Sequence, residues 1–111
     1  MSEGIKTVIY PVTDLARAKA MFSAVLGTAP AMDEPYYVQF SVGDQVIGLD
    51  PHGHKSGAVG YYHVGDIKGT LQALLAAGAE VDQDVKDVGG GRLIAAVKDA
   101  DGNLIGLLQN P

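Results

Sequence analysis

The chain contains no cysteine and no tryptophan. Without cysteine it has no disulfide, no thiolate nucleophile and no thiolate metal ligand, so histidine and carboxylate are the strong metal-binding groups that remain. Eight basic residues stand against 13 acidic ones, which gives a formal net charge of −5. This charge repels phosphate backbones and anionic headgroups and slightly favours cationic ligands. We therefore expect no nucleic-acid partner and no membrane partner.

Long apolar runs are also missing from the sequence. No stretch approaches the roughly 20 apolar residues of a membrane-spanning helix, and the opening residues, MSEGIK, lack the basic head and apolar stretch of a secretory signal. We therefore expect a cytoplasmic protein. Hydrophobic residues make up 47% of the 111 positions, which is enough to fill the core of one domain.

An internal duplication organises the sequence. Residues 10–14, YPVTD, recur 52 positions later as residues 62–66, YHVGD. Residues 46–49, VIGL, recur 58 positions later as residues 104–107, LIGL. The sequence therefore predicts a single domain over 1–111, built from module 1–52 and module 57–111.

Each module is predicted to run from a strand into a helix and then into two or three further strands. Asp14 and Asp66 are placed to cap the two helices, and Gly27 and Gly78 are placed to end them. Apolar residues alternate with other residues over 36–42, which predicts a half-buried strand with Tyr36 on its apolar side.

These features together resemble the vicinal oxygen chelate superfamily, which includes glyoxalase I, bleomycin-resistance proteins and extradiol dioxygenases. The segments that carry the resemblance are residues 10–15, 64–67, 76–79 and 99–103, in this order and spacing. The resemblance implies an α+β fold of paired βαβββ modules, with a curled mixed sheet around a central cavity and the helices outside. It also implies a homodimer.

Metal-dependent members of that superfamily use a His or Gln seven residues before the strand-end Asp, and a Glu in the last strand of each module. The matching positions here are Thr7, Val59, Gly48 and Gly106. None of them offers an imidazole or a carboxylate. We therefore expect no metal and no cofactor, and the chain looks more like the binding members, such as the bleomycin-resistance proteins.

A ligand site is predicted on the strand faces that point away from the helices. Two tyrosines and a few polar groups among apolar ones suit a small organic ligand. His63 stands where the first module has Pro11, and it is the candidate for proton transfer because imidazole titrates near neutral pH. The predicted ligand-binding residues are Thr7, Ile9, Tyr37, Gln39, Gly48, Asp50, Tyr61, His63, Arg92 and Gly106.

Three functions are compatible with this pattern. The first is metal-independent binding of an antibiotic or metabolite, by sequestration. The second is a lyase- or isomerase-type enzyme that uses His63 as general base or a non-standard metal site. Asp50, His52 and His54 in the connecting loop offer ligand types for such a site, with a solvated connector as the alternative interpretation. The third is an interaction subunit whose cavity is filled by its own side chains.

Overall fold

A computed structural model describes residues 2–52 and 57–111. In chain order its elements are β1 (Ser2–Pro11), α1 (Leu15–Leu26), β2 (Met32–Glu34), β3 (Tyr37–Val42), β4 (Gln45–Asp50), β5 (Val59–Val64), α2 (Ile67–Ala76), β6 (Glu80–Asp87), β7 (Leu93–Lys98) and β8 (Leu104–Gln109). The order βαβββ occurs twice, which confirms the predicted α+β class and its paired modules.

The chain divides into two compact units, and β1 contributes residues to both. Residues Thr7–Val59 form the α1 unit, which contains α1. The α2 unit contains α2 and consists of Gly60–Pro111 with the described residues of β1 up to Lys6. Each unit has a core of its own, and the two cores are described in turn.

The sheet of the α1 unit has the strand order β2-β3-β4-β1. β3 is antiparallel to both of its neighbours, whereas β1 and β4 are parallel. Val38, Phe40 and Leu49 are fully buried, and the apolar face of α1 packs against them. The Asp14 carboxylate accepts a hydrogen bond from the Arg17 amide at 3.0 Å and so caps α1. Gly27 ends α1 in the left-handed conformation that glycine adopts without strain.

The sheet of the α2 unit has the strand order β5-β8-β7-β6, with β1 beside β5. β5 and β8 are parallel, and β7 is antiparallel to β8 and to β6. The apolar face of α2 packs on this sheet. The buried side chains of this core are Val64, Ile67, Leu71, Ala95, Val97 and Leu107.

The start of α2 is held by two side chains. The Asp66 carboxylate accepts from the Gly69 amide at 3.1 Å, and the Gln109 side-chain oxygen accepts from the Ile67 amide at 2.7 Å. Both bonds satisfy amides that a helix cannot pair internally. The second bond also ties β8 to α2, so the end of the last strand fixes where this helix begins.

One strand boundary differs from the prediction. Tyr36 was expected on the apolar side of a strand over 36–42, but β3 begins at Tyr37 and the Tyr36 side chain is 59% exposed. Val38 and Phe40 are buried as the alternation predicts. Tyr36 lies in the turn between β2 and β3. The alternation of apolar residues in the sequence therefore begins one residue before the strand itself.

His54 belongs to residues 53–56, which lie outside the described residues, so the predicted loop site is described only as far as His52. In the described parts of the chain, no helix is long and apolar enough to span a membrane.

The cap of α2 gives a direct test of this local structure. Asp66→Ala removes the acceptor for the Gly69 amide, so we expect the free energy of unfolding to fall by about 1 kcal/mol in urea denaturation. Asp66→Asn keeps an acceptor oxygen and should remain close to the parent protein. Equal stability of Asp66→Ala and the parent would contradict the capping role.

Candidate functional site

One face of the sheet in the α1 unit carries most of the predicted ligand-binding residues. Ile9, Gly48 and Gln39 lie side by side across β1, β4 and β3, because Ile9 pairs with Gly48 and Gly48 pairs with Gln39. Thr7 precedes Ile9 by two residues, and its side chain is almost fully buried. Asp50 follows Gly48 by two residues and pairs with Pro11. Strand alternation puts these residues on the face opposite α1.

Side chains from two strands close over Gly48. A Cβ atom at this position would lie 2.6 Å from Ile9 Cδ1 and 2.8 Å from Tyr37 Cζ, with the Tyr37 hydroxyl closer still. Such distances are too short for any side chain to fit without movement of its neighbours. The Tyr37 hydroxyl also donates to the Gln39 side-chain oxygen at 3.4 Å, so the surface over Gly48 carries a phenol beside an amide.

The α2 unit repeats this arrangement. Tyr61 on β5 pairs with Gly106 on β8, and a Cβ at Gly106 would lie 2.7 Å from Tyr61 Cδ1 and 2.8 Å from the backbone oxygen of Gly60. Tyr61 follows Ile9 by 52 residues and Gly106 follows Gly48 by 58, the same offsets as the duplicated segments. Each module therefore packs a large first-strand side chain across a glycine of its last strand.

His63 follows Tyr61 by two residues and points to the same face of β5. Its neighbour on β8 is Leu108, which in turn pairs with Ile94 on β7. Arg92 immediately precedes β7, on the side of the strand that Ile94 occupies. The predicted α2-unit residues Tyr61, His63, Arg92 and Gly106 therefore belong to one face of this sheet.

The surroundings of His63 favour the neutral form of its imidazole. Partial burial lowers the pKa of His63 below its ordinary value of 6.5, and the positive charges of Lys6 and Arg92 lower it further. The Glu3 carboxylate acts in the opposite direction and raises this pKa. Lys6 and Glu3 form an ion pair with an N–O distance of 3.0 Å. A neutral imidazole can accept a proton or a hydrogen bond at physiological pH.

Lys6 and Glu3 are residues that the sequence analysis did not select. They belong to the first part of β1, which extends back to Ser2 through a glycine with a φ of +88°. The charged residues and the glycine hide the strand pattern there. Their closeness in sequence to Thr7, a predicted site residue, could have identified them.

The four positions at which the resemblance implies metal ligands do not fit a metal. Thr7 offers a hydroxyl and Val59 a buried isopropyl group, while Gly48 and Gly106 have no side chain and no room for one. First-row metals require imidazole, carboxylate or thiolate ligands. In residues 2–52 and 57–111, no three His, Asp or Glu side chains are grouped as a metal site requires.

The described part of the connecting loop offers no metal site either. The Asp50 carboxylate accepts a hydrogen bond from the His52 backbone amide at 2.8 Å, which is the pattern of a local turn. The side chain of His52 is exposed. Asp50 therefore has a structural role in ending β4.

Comparison with known proteins agrees with this fold. The sequence model of the Glyoxalase/Bleomycin resistance protein/Dioxygenase superfamily matches residues 4–107. No curated protein matches the chain in sequence.

Several solved structures have the same fold. A superfamily member from Vibrio splendidus 12B01 superposes with a TM-score of 0.72 at 18% identity, covering 99% of this chain and 100% of the other. Methylmalonyl-CoA epimerase from Mycobacterium tuberculosis gives 0.75 at 19% identity, with coverage of 99% and 89%. The Mn(II)-bound glyoxalase from Novosphingobium aromaticivorans gives 0.74 at 20% identity, with coverage of 98% and 40%.

The close packing over Gly48 and Gly106 predicts that replacing either glycine with alanine lowers the stability of the protein. Gly106→Ala should lower the free energy of unfolding by about 1–3 kcal/mol, because the new methyl group meets a backbone oxygen that cannot rotate away. Gly48→Ala should cost less, because its contacts are side-chain atoms of Ile9 and Tyr37. Thermal or urea unfolding of both variants measures the difference.

Gly65→Ala is the matched control, since a Cβ at Gly65 has no neighbour within 4 Å and the φ of Gly65 is not positive. It should be as stable as the parent. Tyr37→Phe removes the atom nearest to Gly48 and should reduce the cost of Gly48→Ala. Equal costs at positions 65 and 106 would contradict the close packing.

Proposed function

The chain belongs to the Glyoxalase/Bleomycin resistance protein/Dioxygenase superfamily, and we propose that it is a metal-independent member that binds a small organic molecule. The observation that supports this proposal is the close packing of Ile9, Tyr37 and Tyr61 over Gly48 and Gly106. At the positions where metal-dependent members carry a carboxylate, this chain has glycine covered by apolar and phenolic groups.

The chemistry of the two sheet faces suits ligand binding. Each face combines an apolar surface with a few fixed polar groups, which is the usual composition of a small-molecule site. Tyr37 and Tyr61 offer flat rings with a hydroxyl at one end, and the Gln39 amide and His63 imidazole add directional hydrogen bonds. The role we propose is sequestration of an antibiotic or a metabolite.

The proposal also includes the domain organisation, cellular location and oligomeric state of the protein. It places modules 1–52 and 57–111 in a single domain that requires no cofactor, and it places the protein in the cytoplasm as a homodimer. Met21 and Val25 of α1 are 67% and 77% exposed, which leaves apolar surface for a second copy to cover. Nucleic acid and membrane are not among the proposed partners, because the net charge is −5.

A second function, proton transfer by a lyase- or isomerase-type enzyme, is favoured by one observation. The pKa of His63 is lowered, so its neutral form persists to more acidic pH than that of an ordinary histidine. A general base must be unprotonated to act. One of the structurally similar proteins is a methylmalonyl-CoA epimerase, so a carbonyl compound with an exchangeable proton is a reasonable probe.

Binding is tested by thermal unfolding in the presence of a compound panel that covers aromatic, cationic, anionic and neutral molecules, with bleomycin-type drugs included. At a hundredfold excess over its dissociation constant, a ligand stabilises the native state by about 2.7 kcal/mol. This should raise the Tm of a domain of this size by roughly 10 °C. A panel that produces no shift would contradict the binding function.

Catalysis is tested by deuterium exchange from D2O into methylmalonyl-CoA, followed by NMR. If His63 is the base, His63→Ala should slow the exchange by about 10²-fold or more, whereas His52→Ala, in the exposed turn, should leave the rate unchanged. The rate should fall as pH falls through the pKa of His63, which lies below 6.5. An unchanged rate in His63→Ala would exclude this role.

A further inference from the structure

The surroundings of His63 differ in charge from the chain as a whole. We call Lys6, Tyr61, His63 and Arg92 the His63 cluster. Lys6 and Arg92 act on His63 from two sides, from β1 and from the start of β7, while the neighbouring β8 position is the uncharged Leu108. Glu3 is the acidic side chain whose charge acts on His63. The charged groups that act on His63 are therefore two cations and one carboxylate, with Lys6 and Glu3 paired to each other.

The strand geometry makes simultaneous contact with one ligand feasible. β5, β8 and β7 are consecutive neighbours in the sheet, and Arg92 lies two residues before Ile94, which is in register with His63 through Leu108. Two strand spacings and two residues along a strand place the backbones of Arg92 and His63 about 11–12 Å apart. A guanidinium at the end of a long side chain spans much of that distance. The Arg92 backbone is fixed by hydrogen bonds with Gly89 at 3.1 Å and Val88 at 2.9 Å, so the side chain starts from a defined turn.

The face between these cationic groups is apolar. Leu108 lies beside His63 on β8, and Ile94 lies beside Leu108 on β7, two residues after Arg92. The Tyr61 ring lies over Gly106, two residues before Leu108 on β8. Tyr61 and His63 are half-buried, and Lys6 is 29% exposed. A ligand here would meet an apolar surface that has cationic groups at its edges.

We propose that the His63 cluster binds the carboxylate of a small organic acid whose apolar part lies against Tyr61. This inference rests on the proposed binding function and adds the charge and shape of the ligand. Arg92 and Lys6 supply charge-assisted hydrogen bonds, and His63 donates one when protonated. Lys6 can turn from Glu3 to the ligand at little cost, because an ion pair at the protein surface is weak.

Benzoate is a suitable probe, with benzyl alcohol as its neutral analogue and inorganic phosphate as an anion without an apolar part. Binding is measured by calorimetry, and the pKa of His63 is measured by following its ring protons by NMR. Because a bound anion favours the charged imidazole, benzoate should raise the pKa of His63, and benzoate should bind more tightly as pH falls through that pKa. Benzyl alcohol should leave the pKa unchanged, and phosphate should bind more weakly than benzoate.

Charge variants locate the site. Arg92→Gln should weaken benzoate binding by about tenfold, and Arg92→Lys should weaken it less because the charge is kept. Glu3→Gln should strengthen binding, because it removes the competing carboxylate. Lys68→Gln changes an exposed cation on α2, on the other face of the same sheet, and should have no effect.

The inference is overturned if benzoate leaves the pKa of His63 unchanged, if benzyl alcohol or phosphate binds as well as benzoate, or if Lys68→Gln weakens binding as much as Arg92→Gln does. If neutral or cationic compounds stabilise the protein while benzoate does not, the binding function stands and this inference fails. If no compound of any charge binds, both fail.

Discussion

Close packing across a glycine, made once in each module, is the constraint on which the candidate site depends. β1 with β4 and β5 with β8 are the parallel pairs, and in each the large side chain of the first strand covers a glycine of the last. The missing Cβ lets Ile9 and Tyr61 lie flat on the neighbouring strand. The face of the α1 unit therefore carries a phenol and an amide, and the face of the α2 unit carries a phenol and an imidazole. These groups can form hydrogen bonds, and the imidazole can also transfer a proton.

Local patterns in the sequence predicted much of the fold. The duplicated segments, the caps at Asp14 and Asp66, and the glycines that follow the helices are each only a few residues long, so the sequence alone reveals them. Tyr36 was wrongly assigned to a strand because the alternation of apolar residues does not show where a strand begins to pair with its neighbours. The early part of β1 was missed because the sequence around Glu3, Gly4 and Lys6 does not resemble a strand, although these residues belong to β1 in the structure.

The site was less accessible to sequence reasoning, because its geometry depends on register between distant strands. Strand alternation identified Tyr37, Gln39 and Gly48 as residues of one face. It did not show that Tyr37, two residues before the partner of Gly48 on β3, places its hydroxyl over Gly48. Likewise, the net charge of −5 pointed towards cationic ligands, whereas His63 lies among two cations and one carboxylate. Total charge averages over the surface, and ligands respond to the charges within a few ångströms.

The central claim is that this scaffold works without a metal, and metal content tests it most directly. Untagged protein would be exposed to Zn²⁺, Ni²⁺, Mn²⁺ and Fe²⁺, freed of unbound ion, and examined by elemental analysis. Our account predicts that no metal is retained in stoichiometric amount. One retained ion per chain or per dimer would contradict the account and would direct attention to Asp50, His52, His54 and His63 as ligands.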